Sequence, residues 1–456
     1  MRYVSTRGGA PRLDFAGVTL AGLASDGGLY VPERWPTLGR DEIAALATLD
    51  YAATAANILS HFVGDALNPD ELSALCEQAY RRFSHAAVTP LVQLDHRHWL
   101  LELFHGPTLA FKDIALQLTG LLFERFIGDR KLTVIGATSG DTGSAAIDAL
   151  AGLAGVEVFM LHPAGRISEV QRRQMTTVTA PNIHNIALEG ASFDDAQALI
   201  KAMFADPDLS ARLTLSAVNS INWARLAAQV VYYFYAAVRL GAPERAVTFS
   251  VPTGNFGDVY AGYVAAKMGL PIAQLIVATN VNDILARALT SGDYSRGTVV
   301  STEAPSMDIQ VSSNFERLLY DLDPGAVAGQ MTQFAATGAI QLTEAQRAGT
   351  QGFFVGERVD PDDMAAAMRW AYAQTGQMID PHTAIGLAAA RRLDRSVSVT
   401  LATAHPAKFG DAVERAIGMR PALPARLGDL FAREERYVTL PPTLAAVGGY
   451  VREHAS

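Results

Sequence analysis

Cysteine is nearly absent: Cys76 is the only one in 456 residues. That excludes an internal disulfide and any cysteine-rich zinc site, and it fits a reducing compartment. Cys76 falls in the helical pattern Glu71–Tyr80 and reads as a packing residue. Long uncharged apolar runs are missing too, and the opening Met1-Arg2-Tyr3-Val4-Ser5-Thr6-Arg7-Gly8 lacks the apolar centre of a signal peptide. The sequence therefore predicts a soluble, cytoplasmic protein. A basic surplus is also lacking, since 37 Lys and Arg stand against 46 Asp and Glu for a net charge of -9. A general phosphate-backbone binder is thereby excluded, and any anionic ligand must be held by a local site.

What is present is apolar material, 49% of the residues, in a chain too long for one ordinary core, so two or three cores are expected. Residues 1–90 carry a glycine-rich start and amphipathic helices near 41–62 and 70–84 without β-α alternation, as in a smaller N-terminal domain. From 91 to about 420, short β-branched runs alternate with helical patterns, which predicts an α/β fold of parallel sheets covered by helices. Two lobes are expected, the smaller over roughly 131–240. Residues 300–350 are less regular, and the proline-rich tail 421–456 is expected to pack on the surface.

The chemistry concentrates at four places. Lys112 lies in Leu103-Phe104-His105-Gly106-Pro107-Thr108-Leu109-Ala110-Phe111-Lys112-Asp113, at the head of an apolar helical segment. A lysine there either pairs with Asp113 or Glu102 as a structural ion, or loses its proton and becomes a nucleophile toward an aldehyde. The turn Gly136-Ala137-Thr138-Ser139-Gly140-Asp141-Thr142-Gly143 follows a strand, and its hydroxyls and helix N-terminus suit a carboxylate or phosphate. It also reads as a tight turn with Asp141 or Thr142 as helix cap. In Pro252-Thr253-Gly254-Asn255-Phe256-Gly257-Asp258, successive N–H groups from Gly254 to Asp258 suit a phosphate dianion, or the glycines simply supply unusual backbone angles. Asp258 would repel an anion there unless its carboxylate faces away. The third turn, Thr403-Ala404-His405-Pro406-Ala407-Lys408-Phe409, offers the Thr403 hydroxyl and the Lys408 charge at another strand end.

These motifs, with Asn219-Ser220-Ile221-Asn222-Trp223-Ala224-Arg225 and Ser306-Met307-Asp308-Ile309-Gln310-Val311-Ser312-Ser313-Asn314-Phe315-Glu316-Arg317, resemble the signatures of the threonine synthase family, in its bacterial and fungal branch. The resemblance implies the tryptophan-synthase-β-like fold (fold type II) and pyridoxal 5'-phosphate as cofactor. It implies conversion of O-phospho-L-homoserine and water to L-threonine and phosphate, without metal or nucleic acid, by a monomer or homodimer. Lys112 would bear the cofactor and act as the catalytic base. Gly254, Asn255, Phe256, Gly257 and Asp258 would hold the cofactor phosphate through backbone N–H groups, and Thr403 would face the pyridine nitrogen. Thr138, Ser139, Gly140, Asp141 and Thr142 would receive the substrate carboxylate, with Asn314 and Arg317 at the substrate phosphate. A threonine or serine dehydratase or a phospholyase would share Lys112 and the phosphate turn; a silent α/β binding module would hold no aldehyde cofactor.

Overall fold

A computed structural model describes residues 1–138, 140–217, 220–393 and 397–455. Two sheets form the frame. The larger has six strands in the order Phe354–Arg358, Ile272–Thr279, Val247–Pro252, Ser398–Ala402, His98–Glu102 and Leu91–Gln93. All its pairs are parallel except the last. Parallel strands between helix layers must be apolar on both sides. Leu275 and Val277 accordingly join one core, while Ile276 and Ala278, pointing the other way, join a second. The first core takes the helix Trp223–Arg239, buried from Trp223 to Val238, and the second takes the helix Pro381–Leu393. A helix apolar all round has no solvent face to present, so it lies inside.

The smaller sheet is parallel throughout, in the order Val438–Leu440, Ile183–Leu188, Val156–Pro163, Leu132–Ala137, Leu215–Ala217. Here too alternate residues part: Val134, Val158 and Met160 face the helix Asp141–Leu150, and Ile135, Phe159 and Leu161 face Phe193–Ala205. The tail does more than pack on the surface. It adds the edge strand Val438–Leu440 to this sheet, and the helix Leu444–His454 buries Val447 and Val451 in the same core. Alternating residues in so short a strand leave almost no periodicity to read.

The N-terminal residues share a core with the larger lobe: the Tyr3 and Phe62 rings lie 5.7 and 5.8 Å from that of Trp223. The span 300–350, irregular by sequence, holds the helices Phe315–Leu322, Val327–Thr337 and Glu344–Thr350. Elements of this length give few turns in which a pattern can repeat. Among the described residues no helix is long and apolar enough to cross a membrane.

Candidate active site

The chain leading to Lys112 is laced to the turn that follows Ser398–Ala402. Leu103 N–H donates to Ala402 O (2.9 Å), His405 N–H to Leu109 O (3.0 Å) and Phe111 N–H to Thr403 O (2.8 Å). Asp113 shapes the bend before the helix Lys112–Ile127 by accepting from Thr108 N–H (2.8 Å) and Thr108 Oγ1 (2.6 Å). Gly106 lets the turn close, since a Cβ there would lie 2.4 Å from that of Asp113. The outcome is a lysine at the head of a buried helix, one residue after the backbone bond to Thr403.

The carboxylate beside Lys112 is neither Asp113 nor Glu102. It is Asp141, with Oδ2 3.5 Å from Lys112 Nζ. Asp141 begins the helix Asp141–Leu150 with Gly140 as its N-cap, so its side chain caps nothing and turns inward. Its Oδ1 accepts from Lys408 Nζ (2.9 Å) and Gln171 Nε2 (2.8 Å), and Ser306 Oγ stands 3.5 Å from Oδ2. Lys408, whose side chain is wholly buried, also donates to Thr108 O (2.8 Å). Two lysines thus flank one buried carboxylate.

Burial pushes the Lys112 pKa below its ordinary value; Asp141 and then Asp258 oppose that, while the Lys408 and Arg225 charges add to it. Burial alone would raise Asp141, yet Lys408 and then Lys112 hold it well below the usual carboxylate range. Asp258 is pushed up to about 6 by burial, against the attraction of Lys112.

The turn 253–257 is fixed from two sides. Gly254 O accepts from Ser312 Oγ (2.7 Å), and Asn255 O accepts from Asn314 N–H (3.1 Å) and Nδ2 (3.0 Å). Phe256 adopts a left-handed φ of 62° to start the helix Gly257–Lys267, whose first N–H groups have no partner one turn back. Of the two glycines, Gly254 is the one the packing demands. A Cβ there would meet Ser306 O at 2.5 Å, whereas at Gly257 it would find Asn314 and Gln229 at 3.5 Å, an ordinary contact. Gly254→Ala is therefore expected to displace either this turn or the 305–307 segment and to weaken cofactor retention at least tenfold, about 1.4 kcal/mol, with Gly257→Ala much closer to the parent. Equilibrium dialysis of cofactor against both variants checks the difference.

The loop after Leu132–Ala137 is built for close approach. Thr138 Oγ1 accepts from Gly140 N–H (2.9 Å) and Gly143 N–H (2.8 Å), and Gly140 holds a φ of 130° with Gln171 where a Cβ would sit. Thr142 is partly accessible at the first turn of the helix. Ser139 lies outside the described residues.

Arg317 is not brought to this cleft. It is fully buried, donates from Nε to Tyr30 O (3.0 Å), from Nη2 to Ile221 O (2.5 Å) and from Nη1 to Asn314 Oδ1, and lies 5.7 Å from the Trp223 ring. A guanidinium so committed orients Asn314, and Asn314 in turn steadies the carbonyl of Asn255. The cations whose charge reaches Lys112 are Lys408 and, from the helix Trp223–Arg239, Arg225. Sequence reasoning also passes over Gln171 and the pair Asp380–His382, and it assigns Ser306 no role within its motif. His382 Nδ1 is 2.7 Å from Asp380 Oδ2 and its Nε2 accepts from Ser306 N–H (3.3 Å). Only their position in space marks them, since neither spacing nor residue type does.

A buried amine of lowered pKa, a glycine turn at a helix N-terminus and a hydroxyl at a third strand end together fit pyridoxal phosphate: the amine for its aldehyde, the turn for its phosphate and Thr403 for its ring. The comparisons agree. The description "Threonine synthase N terminus" matches residues 2–80, "Pyridoxal-phosphate dependent enzyme" residues 83–403, and "Threonine synthase, C-terminal" residues 383–451. A threonine synthase of Pseudomonas aeruginosa is 52% identical over 100% of this chain and 99% of its own. The threonine synthase of Schizosaccharomyces pombe is 42% identical over 91% and 89%. The crystal structure of PLP-bound threonine synthase from Brucella melitensis superposes with a TM-score of 0.97 at 48% identity, over 100% and 99% of the two chains. With three stretches of the chain matched and a relative 52% identical over its full length, this protein belongs to the threonine synthase family of pyridoxal-phosphate-dependent enzymes.

Proposed function

We propose that the chain converts O-phospho-L-homoserine and water to L-threonine and phosphate, in the cytoplasm, as a monomer or homodimer. The observation that carries this reading is the buried Lys112 amine, held against Asp141 and one residue after the backbone bond to Thr403. When bound, pyridoxal phosphate supplies the aldehyde that captures an amine and the conjugated ring that draws electrons from the substrate's carbons. Lys112 bears it at rest. Released by the substrate amine, Lys112 would take the proton from Cα and hand it on, then, neutral again, take one from Cβ as phosphate leaves Cγ and return it to Cγ, before water adds its hydroxyl at Cβ and a proton goes back to Cα. Its desolvated setting keeps the amine neutral often enough for those transfers.

The other roles belong to the same proposal. N–H groups of Gly254, Asn255, Phe256, Gly257 and Asp258 hold the cofactor phosphate. Thr138, Gly140 and Thr142 and the N–H groups opening the helix Asp141–Leu150 receive the substrate carboxylate, with Asp141 holding Lys112 Nζ between transfers.

The test is turnover of O-phospho-L-homoserine by the purified holoenzyme, with phosphate and threonine measured together. Equal amounts of both are expected; a keto acid or an aldehyde in place of threonine would favour a dehydratase or phospholyase. Thr403 gives a finer check. A threonine hydroxyl cannot carry charge, so the ring nitrogen opposite it stays largely neutral. Thr403→Ala is expected to weaken cofactor binding by about 1 kcal/mol, roughly fivefold, the worth of one neutral hydrogen bond. Thr403→Asp should raise long-wavelength absorption and abortive transamination. Unchanged spectra and products in both variants would move Thr403 away from the ring.

A further inference from the structure

A cavity of about 470 Å³ lies against the 102–109 segment that leads to Lys112, and its lining includes neither Lys112, Asp141, Thr403 nor the 254–258 turn. Five parts of the chain meet there: Ser84, the 102–109 segment, the 377–378 loop, His405 with Pro406, and the tail through Arg426. It lies in the size range of small-molecule sites, which combine apolar walls with a few fixed polar groups. Phe104, Leu109, Met378, Pro421 and Pro424 supply the walls.

The polar groups are few and fixed. Glu102 is buried, with Oε1 accepting from Gln377 Nε2 (2.8 Å) and Oε2 2.7 Å from His105 Nε2. Each carboxylate oxygen retains a second lone pair for another donor. Across the lining, Arg426 donates from Nη2 to Gly106 O (2.6 Å) and from Nη1 to Ser84 Oγ (3.0 Å), which orients a guanidinium that has five N–H groups. His405 is neutral: burial pushes its pKa down to about 4, helped by His105 and Arg426, and Nδ1 accepts from Ala407 N–H (3.2 Å). The cavity therefore offers one fixed anion, one fixed cation and an apolar remainder. That combination matches a zwitterion.

The same walls are mechanically tied to the catalytic lysine. Leu109 holds a left-handed φ of 65°, which a branched side chain rarely adopts, and its carbonyl accepts from His405 N–H. Three residues on stands Lys112, and Phe111 between them is bonded to Thr403 O. We propose that this cavity binds a free α-amino acid with an apolar side chain, its carboxylate on Arg426 and its ammonium on Glu102, and that occupancy shifts Lys112 through the Leu109–His405 contact.

The holoenzyme is titrated calorimetrically with L-leucine, L-methionine and L-phenylalanine, and with isoamylamine and isocaproate, which each lack one of leucine's two charges. At least one amino acid is expected to bind, with the single-charge compounds about tenfold weaker or more, as for loss of a charge-assisted hydrogen bond. Arg426→Met and the cavity-filling Met378→Trp should each lower that affinity at least about tenfold at parental cofactor content. Binding should also shift the visible absorption of the bound cofactor. No heat with any of the three amino acids, binding undiminished in either folded variant, or binding without the spectral shift would overturn the proposal. None of these readouts depends on which substrate is turned over.

Discussion

Lys112→Ala is expected to lower kcat/KM by at least about 10³–10⁴-fold, because in the proposed function one side chain serves both as the cofactor's anchor and as the base at successive carbons. Stability should change far less. Asp141 keeps Lys408 and Gln171 as partners when Lys112 is gone, so no buried carboxylate is left bare. The structural check precedes the kinetic one: thermal unfolding should remain cooperative and near the parent. Borohydride reduction with peptide mapping in the parent should then label Lys112, and a label on Lys131, Lys267 or Lys408 would refute the assignment.

The second large effect belongs to Lys408→Met. Removing one partner of a buried ion pair typically costs about 3–5 kcal/mol, because the other charge is stranded. Asp141 would retain Lys112 as its remaining cation, and the consequence for Lys112 has a definite sign. Lys408 now disfavours the Lys112 ammonium by repulsion and occupies the carboxylate that would stabilise it. Without Lys408 the ammonium is favoured, so the Lys112 pKa rises. Uptake of cofactor by the cofactor-free protein requires the neutral amine, and its acid limb should therefore move to higher pH. Asp141→Asn added to Lys408→Met removes the stranded charge and should recover much of the lost stability. Chemical denaturation of the single and double variants, with uptake rates across pH, tests both points; no recovery in the double variant would mean that Lys408 stabilises through packing.

The parts of the site that are legible in sequence are those whose chemistry is local. A lysine in an apolar helix head, a glycine turn behind a strand and a hydroxyl at a strand end each announce themselves within about ten residues. Gly254 is legible as a glycine, but its reason is not, since the obstructing Ser306 carbonyl comes 52 positions later in the chain. Asp141 reads as a helix cap because acidic residues favour that place; the structure turns it inward because Lys408, distant in sequence, stands in front of it. Arg317 shows the opposite failure. A motif arginine reads as an anion ligand, yet three acceptors already surround it, two of them carbonyls contributed by Tyr30 and Ile221. The parallel sheets were legible because strands buried on both faces are continuously apolar. The edge strand of the tail and the short helices after residue 300 were not, since too few residues repeat.

The position of Ser398–Ala402 within the larger sheet bears on how a ribosome must deliver this chain. That strand pairs with Val247–Pro252 on one side and His98–Glu102 on the other, so it is the central joint of the sheet and also the last of its six strands to be synthesised. At about 5–20 residues per second, residue 398 follows residue 102 by roughly 15–60 s. By the end of that interval the nascent polypeptide carries two half-sheets, each with an open row of unpaired N–H and C=O groups, the feature that recruits foreign strands. Lys112 and the 254–258 turn lie on opposite halves, so on the proposed reading the coenzyme cannot template early folding, and a transcript truncated before this strand should yield a product that chaperones retain and that pyridoxal phosphate does not rescue.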